Sequence, residues 1–183
     1  LVAALGPDYS FGRPTACRLI QDGLNTHYLI EAPEGPSVLR LYRNGWRSAA
    51  DIGYELAVLD HLRTCGVPVC GPIARRDGAY ERMVGTEEGP RTAVLFQYAA
   101  GQPPEVKDPE ALRACGRTMA LIHGRTEGFS CTHQRFHLDL EHLIVQPLTV
   151  LLPMLAPSPE DTAFVQNVAQ ALQGGLAEQV ETL

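Results

Sequence analysis

One arginine and one glutamate lie where the local pattern expects apolar side chains, and together they constrain the fold most strongly. Residues 37–43 (SVLRLYR) predict a β-strand, and period-two alternation places Arg40 on the face opposite its leucine neighbours. Residues 51–62 predict a helix in which Glu55 falls within the apolar stripe that begins at Ile52. An inward carboxylate is costly unless a cation meets it, so we predict that strand and helix pack with Arg40 paired to Glu55.

Short strands joined by tight turns are predicted for the first half of the chain. The turns at Asp22–Thr26 and Pro33–Pro36 join the first three strands without an intervening helix, which is typical of an antiparallel meander. The predicted strands cover residues 16–21, 27–32, 37–43, 73–76, 80–84 and 92–98, with a polar loop over residues 85–91.

Only helices are predicted after a linker at residues 99–106. Asp108 is expected to N-cap the first helix and Gly124 to end it. Helical spacing then covers residues 136–155 with an interruption at Pro147, and a last helix begins at Ser158 or Pro159 and runs to Leu183. The predicted class is α+β, with an antiparallel β lobe at residues 1–100 and a helical region at residues 101–183.

Composition excludes several classes of protein. The net charge of −6 and acidic pI disfavour a nucleic-acid partner, which requires a basic surface. No apolar run approaches the roughly 20 residues of a membrane span, and the first residues do not have the pattern of a secretory signal. Five cysteines without CxxC spacing predict reduced thiols of a cytoplasmic protein rather than disulfides or a metal site.

Five segments, in this order, resemble the protein-kinase-like phosphotransferase family that includes aminoglycoside, choline and homoserine kinases. The segments are GLNTHY at residues 23–28, VLRLYR at 38–43, ELAVLDHL at 55–62, LFQYAAG at 95–101 and GRTMALIH at 116–123. The resemblance implies a protein-kinase-like N-terminal β lobe with one embedded helix, followed by an incomplete helical C-terminal lobe. It also implies that ATP donates its γ-phosphoryl group to the hydroxyl of a small molecule.

The resemblance assigns phosphate contacts to the β lobe. The loop carrying Gly23, Asn25 and Thr26 would approach the β- and γ-phosphates, and Arg40 stands where the family usually has a phosphate-holding lysine. Arginine is always charged and binds phosphate with two parallel hydrogen bonds, so it can replace lysine. The alternative is that Arg40 forms only a structural pair with Glu55.

The segment at residues 95–101 would hold the adenine. By resemblance, Phe96 would lie against the ring, the carbonyl of Gln97 and the amide of Ala99 would bond its edge, and Tyr98 would lie at the hinge between the lobes. Nucleotide and a small-molecule acceptor are therefore the expected partners.

The resemblance implies that the catalytic residues lie in a His-Gly-Asp loop ending in Asn. The sequence contains no such loop, so we expect no catalytic residue in this chain and Mg²⁺ ligands only beyond Leu183. Residues 137–144 (HLDLEHLI) have Ile144 where the asparagine would stand, and we interpret them as an amphipathic helix. The chain is then the N-terminal portion of a longer kinase, inactive alone, and exposed apolar helices would favour homo-oligomers. The alternatives are a complete, non-catalytic kinase-like binding or scaffold module, or an unrelated α+β domain.

Overall fold

The computed structural model describes residues 6–10, 14–105 and 107–180 of the chain. A 3₁₀ turn (Gly6–Asp8) precedes the first strand, and a π-helical turn (Glu141–Val145) precedes the third α-helix. The strands and helices are β1 (Ala16–Asp22), β2 (Thr26–Glu31), β3 (Ser37–Leu41), α1 (Ala49–Thr64), β4 (Glu81–Thr86), β5 (Gly89–Gln97), α2 (Pro109–Thr126), α3 (Gln146–Leu155) and α4 (Pro159–Val180).

The five strands form one antiparallel sheet in the order β1-β2-β3-β5-β4, with α1 inserted between β3 and β4. The predicted α+β class and the antiparallel β lobe with one embedded helix are confirmed. Helix α1 begins at a capping box, in which Ser48 and Asp51 exchange side-chain and backbone hydrogen bonds, and it extends two residues beyond the predicted helix at each end.

Two of the strand predictions were wrong in detail. Residues 73–76 form no strand, because Pro72 makes a single bridge to Phe96 and the chain then turns, with the Arg75 amide donating to the Ala79 carbonyl. The predicted polar loop at residues 85–91 is a tight hairpin instead, since β5 already begins at Gly89, whose φ of +102° suits glycine.

The sheet buries apolar side chains on both faces. The face opposite α1 carries one cluster of buried residues: Tyr9, Ile30, Leu39, Leu41, Val84, Ala93 and Leu95. The face under α1 packs against that helix through a second cluster: Tyr42, Ile52, Leu56, Val94 and Phe96. Because β3 alternates between these two cores, Arg40 lies on the α1 side, as its sequence position predicts.

The described part of the chain divides into two compact units, with the division between Gln134 and Arg135. Helix α2 belongs to the first unit, and Asp108 caps it as predicted, but the helix continues past Gly124 to Thr126. None of the described residues of α2 is buried. The functional boundary between lobes at residues 100 and 101 stays a prediction.

The second unit contains the π turn, α3 and α4. The interruption predicted at Pro147 falls where the helix type changes: the π-helical turn ends at Val145, and Pro147 lies in the first turn of α3, which follows without a break. The predicted helix over residues 136–155 was wrong at its start, because residues 136–139 are not helical; Asp139 precedes the π-helical turn and accepts a hydrogen bond from the His142 amide at 2.8 Å. The predicted end of the last helix at residues 181–183 lies outside the described residues.

None of the helices in the described residues combines the length and apolar character that a membrane span requires.

Candidate functional site

Arg40 lies at the centre of a polar cluster on the α1 face of the sheet. Its Nη1 donates to Glu55 Oε1 at 2.5 Å, and its Nε donates to His27 Nε2 at 3.0 Å. The guanidinium carbon also lies over the Phe96 ring, 4.6 Å from the centroid. Nη2 has no hydrogen-bond partner among the described residues, so one edge of the cation is available to a ligand.

The predicted pairing of Arg40 with Glu55 is confirmed. The two side chains are 25% and 32% exposed, respectively, so the pair is partly open to solvent rather than sealed in the core. A pair with this exposure contributes only about 0–1 kcal/mol to stability. Its geometry therefore has more consequence for the direction of the guanidinium than for the free energy of folding.

Tyr42, the residue that follows β3, completes the cluster. Its ring is 3% exposed, and its hydroxyl lies 3.5 Å from Arg40 Nη1. Burial first, and then the nearby Glu55 carboxylate, raise the pKa of the Tyr42 phenol well above its usual range. The phenol is therefore neutral at ordinary pH and adds a dipole rather than a charge.

His27 was missed by the sequence analysis. It pairs with Arg40 across β2 and β3, and its Nε2 accepts the Arg40 Nε hydrogen. Burial first, and then the Arg40 charge, lower the pKa of the His27 imidazole, which favours the neutral ring that can accept this bond. His27 faces Arg40 because of the β2–β3 register, and the hydrophobic pattern of the sequence does not specify that register.

The turn between β1 and β2 is held by side chains that the resemblance assigned to phosphate. Asn25 Oδ1 accepts from the Arg43 amide at 3.2 Å, and the Thr26 hydroxyl donates to Asp22 Oδ1 at 3.1 Å. A Cβ added at Gly23 would meet no atom within 4 Å, so the space beside this residue is open. The side chains of Asn25 and Thr26 thus shape the turn, and their contact with phosphate stays a prediction.

Arg91 holds this turn against the sheet and was also missed by the sequence analysis. Its Nη2 donates to Thr26 Oγ1 at 3.1 Å and to the Leu41 carbonyl at 3.0 Å, while its Nε donates to the Tyr42 carbonyl at 3.0 Å. The side chain is only 11% exposed. A polar cavity of about 400 Å³ opens beside it, lined by Asp22, Gly23, Thr26, Arg43, Glu88 and Arg91.

The predicted adenine segment begins at the end of β5. Phe96 is 4% exposed and contacts Arg40, whereas Gln97, Tyr98 and Ala99 are exposed. The Gln97 amide donates to the Gly71 carbonyl at 2.9 Å, while the Ala99 amide has no hydrogen-bond partner among the described residues. The nucleotide roles of these four residues stay predictions.

The end of α2 and the segment that follows it pack along α1, the helix that bears Glu55. Phe129 lies edge-on to Tyr54 with centroids 5.8 Å apart, and the His61 Nε2 lies 2.7 Å from the Arg125 carbonyl. The His133 ring covers Gly53 so closely that an added Cβ would lie 2.5 Å from Nδ1. The position of Glu55 therefore depends on residues far from it in the chain.

No group of three or more His, Cys, Asp or Glu side chains in the described residues could hold a metal ion.

A family model described as the phosphotransferase enzyme family matches residues 16–179. An uncharacterized protein of Deinococcus radiodurans is 34% identical to the chain over 176 residues, which cover 96% of this chain and 51% of the relative. A homoserine kinase of Sinorhizobium medicae is 32% identical over 124 residues, covering 66% of this chain and 36% of that enzyme. The chain spans about half the length of the curated relatives that it matches over most of its own length.

Two solved structures have the same fold. A microcompartment-associated aminopropanol kinase has a TM-score of 0.65 and 28% identity, over 78% of this chain and 46% of that one. An amicoumacin kinase in complex with AMP-PNP, Ca²⁺ and Ami has a TM-score of 0.65 and 16% identity, over 85% of this chain and 52% of that one. The chain therefore belongs to the phosphotransferase enzyme family and has the protein-kinase-like fold of its small-molecule kinases.

Proposed function

We propose that the chain supplies the nucleotide-binding part of a kinase that transfers the γ-phosphoryl group of ATP to the hydroxyl of a small molecule. One observation carries the proposal. Arg40 is held by Glu55 and His27 on two sides, and its remaining nitrogen, Nη2, is left without a partner among the described residues. A fixed, permanently charged guanidinium with one open edge suits the oxygens of a triphosphate.

The chemistry expected of such a site is positioning and charge neutralisation. The acceptor oxygen forms a bond to the γ-phosphorus while the bond from that phosphorus to the β–γ bridging oxygen breaks, so ADP leaves. The acceptor proton passes to a base that we do not assign to any described residue. Arg40 would offset the negative charge on the phosphates, and the turn carrying Gly23, Asn25 and Thr26 would lie over them.

The Ala99 amide and the Gln97 carbonyl would hold the adenine edge, next to Tyr98. Phe96 would lie against the adenine ring, next to the Arg40 guanidinium that it already contacts. A divalent ion would neutralise the phosphates of bound ATP, as Mg²⁺ does in phosphoryl transfer generally. No group of three or more potential metal ligands lies among the described residues.

The acceptor is proposed to be an amino alcohol. The relatives and structural neighbours include a homoserine kinase and an aminopropanol kinase, and both named substrates carry an amine together with a hydroxyl group. The acidic balance of the chain, −6, also suits a cationic acceptor.

A second candidate function is a non-catalytic binding module that associates through its helices. The observation that favours it is the exposure of large apolar side chains in the described helices, including 54% for Leu112, 71% for Met154 and 68% for Phe164. Sedimentation at several protein concentrations tests the association, and a phosphotransfer assay with the amino alcohols tests whether the chain is catalytic.

The nucleotide proposal is tested by titration calorimetry with AMP-PNP on the wild type and on Arg40→Ala. We expect binding by the wild type and a loss of at least tenfold in the variant, because a hydrogen-bonded ion pair contributes roughly 1.5–3 kcal/mol. Arg82→Ala is the matched control, since Arg82 forms a similarly exposed pair with Asp8 on the opposite face of the sheet. Equal affinity in all three proteins would remove Arg40 from the site.

A further inference from the structure

We propose that His27 is a positioning residue that orients the Arg40 guanidinium toward the phosphates of the nucleotide. The inference rests on the proposed function, because it concerns how that site holds its cation. His27 itself contacts Arg40 and need not contact the nucleotide.

The geometry leaves the guanidinium little freedom. Glu55 holds Nη1 at 2.5 Å, His27 holds Nε at 3.0 Å, and the Phe96 ring lies 4.6 Å beneath the central carbon. Two bonds in the guanidinium plane fix its rotation, and the aromatic ring fixes its tilt. With Glu55 alone, the long arginine side chain could rotate about a single contact, and Nη2 would not keep one direction.

The chemistry of the bond requires a particular form of the histidine. Arg40 Nε can only donate, so His27 Nε2 must present its lone pair, and we infer that the ring proton lies on Nδ1, a buried atom without a hydrogen-bond partner among the described residues. A protonated ring could not accept, and it would place a second positive charge beside the first. The lowered pKa of His27, caused by burial and then by Arg40, is consistent with the neutral form.

A purely structural role predicts a different outcome from a positioning role. If His27 only fills space between β2 and β3, a variant of similar volume should bind every ligand as the wild type does. If it orients Arg40, loss of the acceptor atom should weaken binding only to ligands that carry phosphates. Adenosine and AMP-PNP are therefore the two probes, because they share a base and differ in the phosphate chain.

The experiment compares His27→Leu, which removes the acceptor, with His27→Gln, whose amide oxygen can replace Nε2. We expect AMP-PNP affinity to fall roughly tenfold in His27→Leu and to recover within about threefold of the wild type in His27→Gln. Adenosine affinity should be unchanged in both. Circular dichroism establishes folding, and His27→Ala replaces the leucine variant if that protein does not fold.

Wild-type AMP-PNP affinity in the acceptor-free variant, or an equal loss for adenosine and AMP-PNP, would overturn the inference. Failure of His27→Gln to recover binding would overturn it as well. The proposed function fails separately, if the wild type does not bind AMP-PNP or if Arg40→Ala binds it normally. An affinity lost in Arg40→Ala but kept in His27→Leu would reject the positioning role alone.

Discussion

The two faces of the β-sheet differ in what their side chains do. Opposite α1, Leu39, Leu41 and Leu95 are at most 3% exposed, and they form an apolar core. Under α1, the neighbouring position on β3 carries Arg40, surrounded by an imidazole, a carboxylate and two aromatic rings. One strand thus carries an apolar core on one face and a polar cluster, the proposed nucleotide site, on the other.

The energies involved separate the two roles. Full burial of a leucine side chain contributes about 1.5–3 kcal/mol, whereas a partly exposed ion pair contributes about 0–1 kcal/mol. Arg40 and Glu55 are therefore poorly explained as a device for stability. The Arg82–Asp8 pair lies on the opposite face, and its guanidinium has no histidine acceptor and no aromatic ring beneath it among the described residues.

The largest expected loss of stability follows from a substitution on the apolar face of the sheet. Leu39→Ala should lower the free energy of unfolding by about 2–5 kcal/mol, because the side chain is completely buried and its removal leaves a cavity. Urea unfolding followed by circular dichroism measures the change. Met83→Ala is the control, since Met83 is 59% exposed on β4 and should change stability by less than about 0.5 kcal/mol. Similar losses in both variants would contradict this view of the core.

The next largest loss of stability is expected when the support of the turn between β1 and β2 is removed. Arg91→Ala should cost about 1–3 kcal/mol, because it removes donors from the Leu41 and Tyr42 carbonyls and from the Thr26 hydroxyl. AMP-PNP affinity should also fall if this turn covers the phosphates. Arg43→Ala, which removes an exposed side chain from the same cavity, is the control for stability and should have little effect. An Arg91 variant as stable as the Arg43 variant would exclude Arg91 as the support of the turn.

A smaller effect is the pH dependence of stability that His27 gives to the α1 face of the sheet. The pKa of His27 is lower in the folded protein than the ordinary value of 6.5, so the unfolded chain binds a proton first on acidification. The contribution of neutral His27 to the free energy of unfolding is fully present above pH 6.5. It is lost as the pH falls from 6.5 toward the pKa of His27 in the folded protein. His27→Gln should remove this part of the slope, as measured by urea midpoints between pH 7.5 and pH 5. An unchanged slope would show that His27 titrates normally.

The smallest effect concerns the support of α1. Gly53→Ala in a His133→Ala background should raise stability by roughly 0.5–1 kcal/mol, because alanine favours a helix and the obstructing ring is absent. In the presence of His133 the same change should lose this gain, since the new Cβ meets the ring. The double-mutant cycle in urea gives the coupling. Additive effects would mean that His133 does not lie against Gly53 in solution.

Features that depend on neighbouring residues in the chain were predicted correctly from the sequence. Alternation along β3 and the stripe of α1 each placed one charge, so the Arg40–Glu55 pair could be inferred without coordinates. The N-cap at Asp108 was predicted correctly for the same reason, because a cap depends only on adjacent residues.

The parts that were missed depend on distant pairing. His27 faces Arg40 only because of the β2–β3 register, and Arg91 reaches Thr26 only because β5 lies beside β3. The predicted strand at residues 73–76 was wrong because Pro72 limits that segment to one bridge. Single-sequence periodicity does not specify any of these contacts, since each joins segments that are far apart in the chain or are set by turn geometry.

The most direct test of the account is a crystal structure of the chain with AMP-PNP. We predict that Arg40 Nη2 lies within about 2.7–3.2 Å of a phosphate oxygen while Nη1 keeps its bond to Glu55 and Nε its bond to His27. Phosphates bound away from Arg40, with the guanidinium still held by its two partners, would contradict the central claim that this face of the sheet binds the nucleotide.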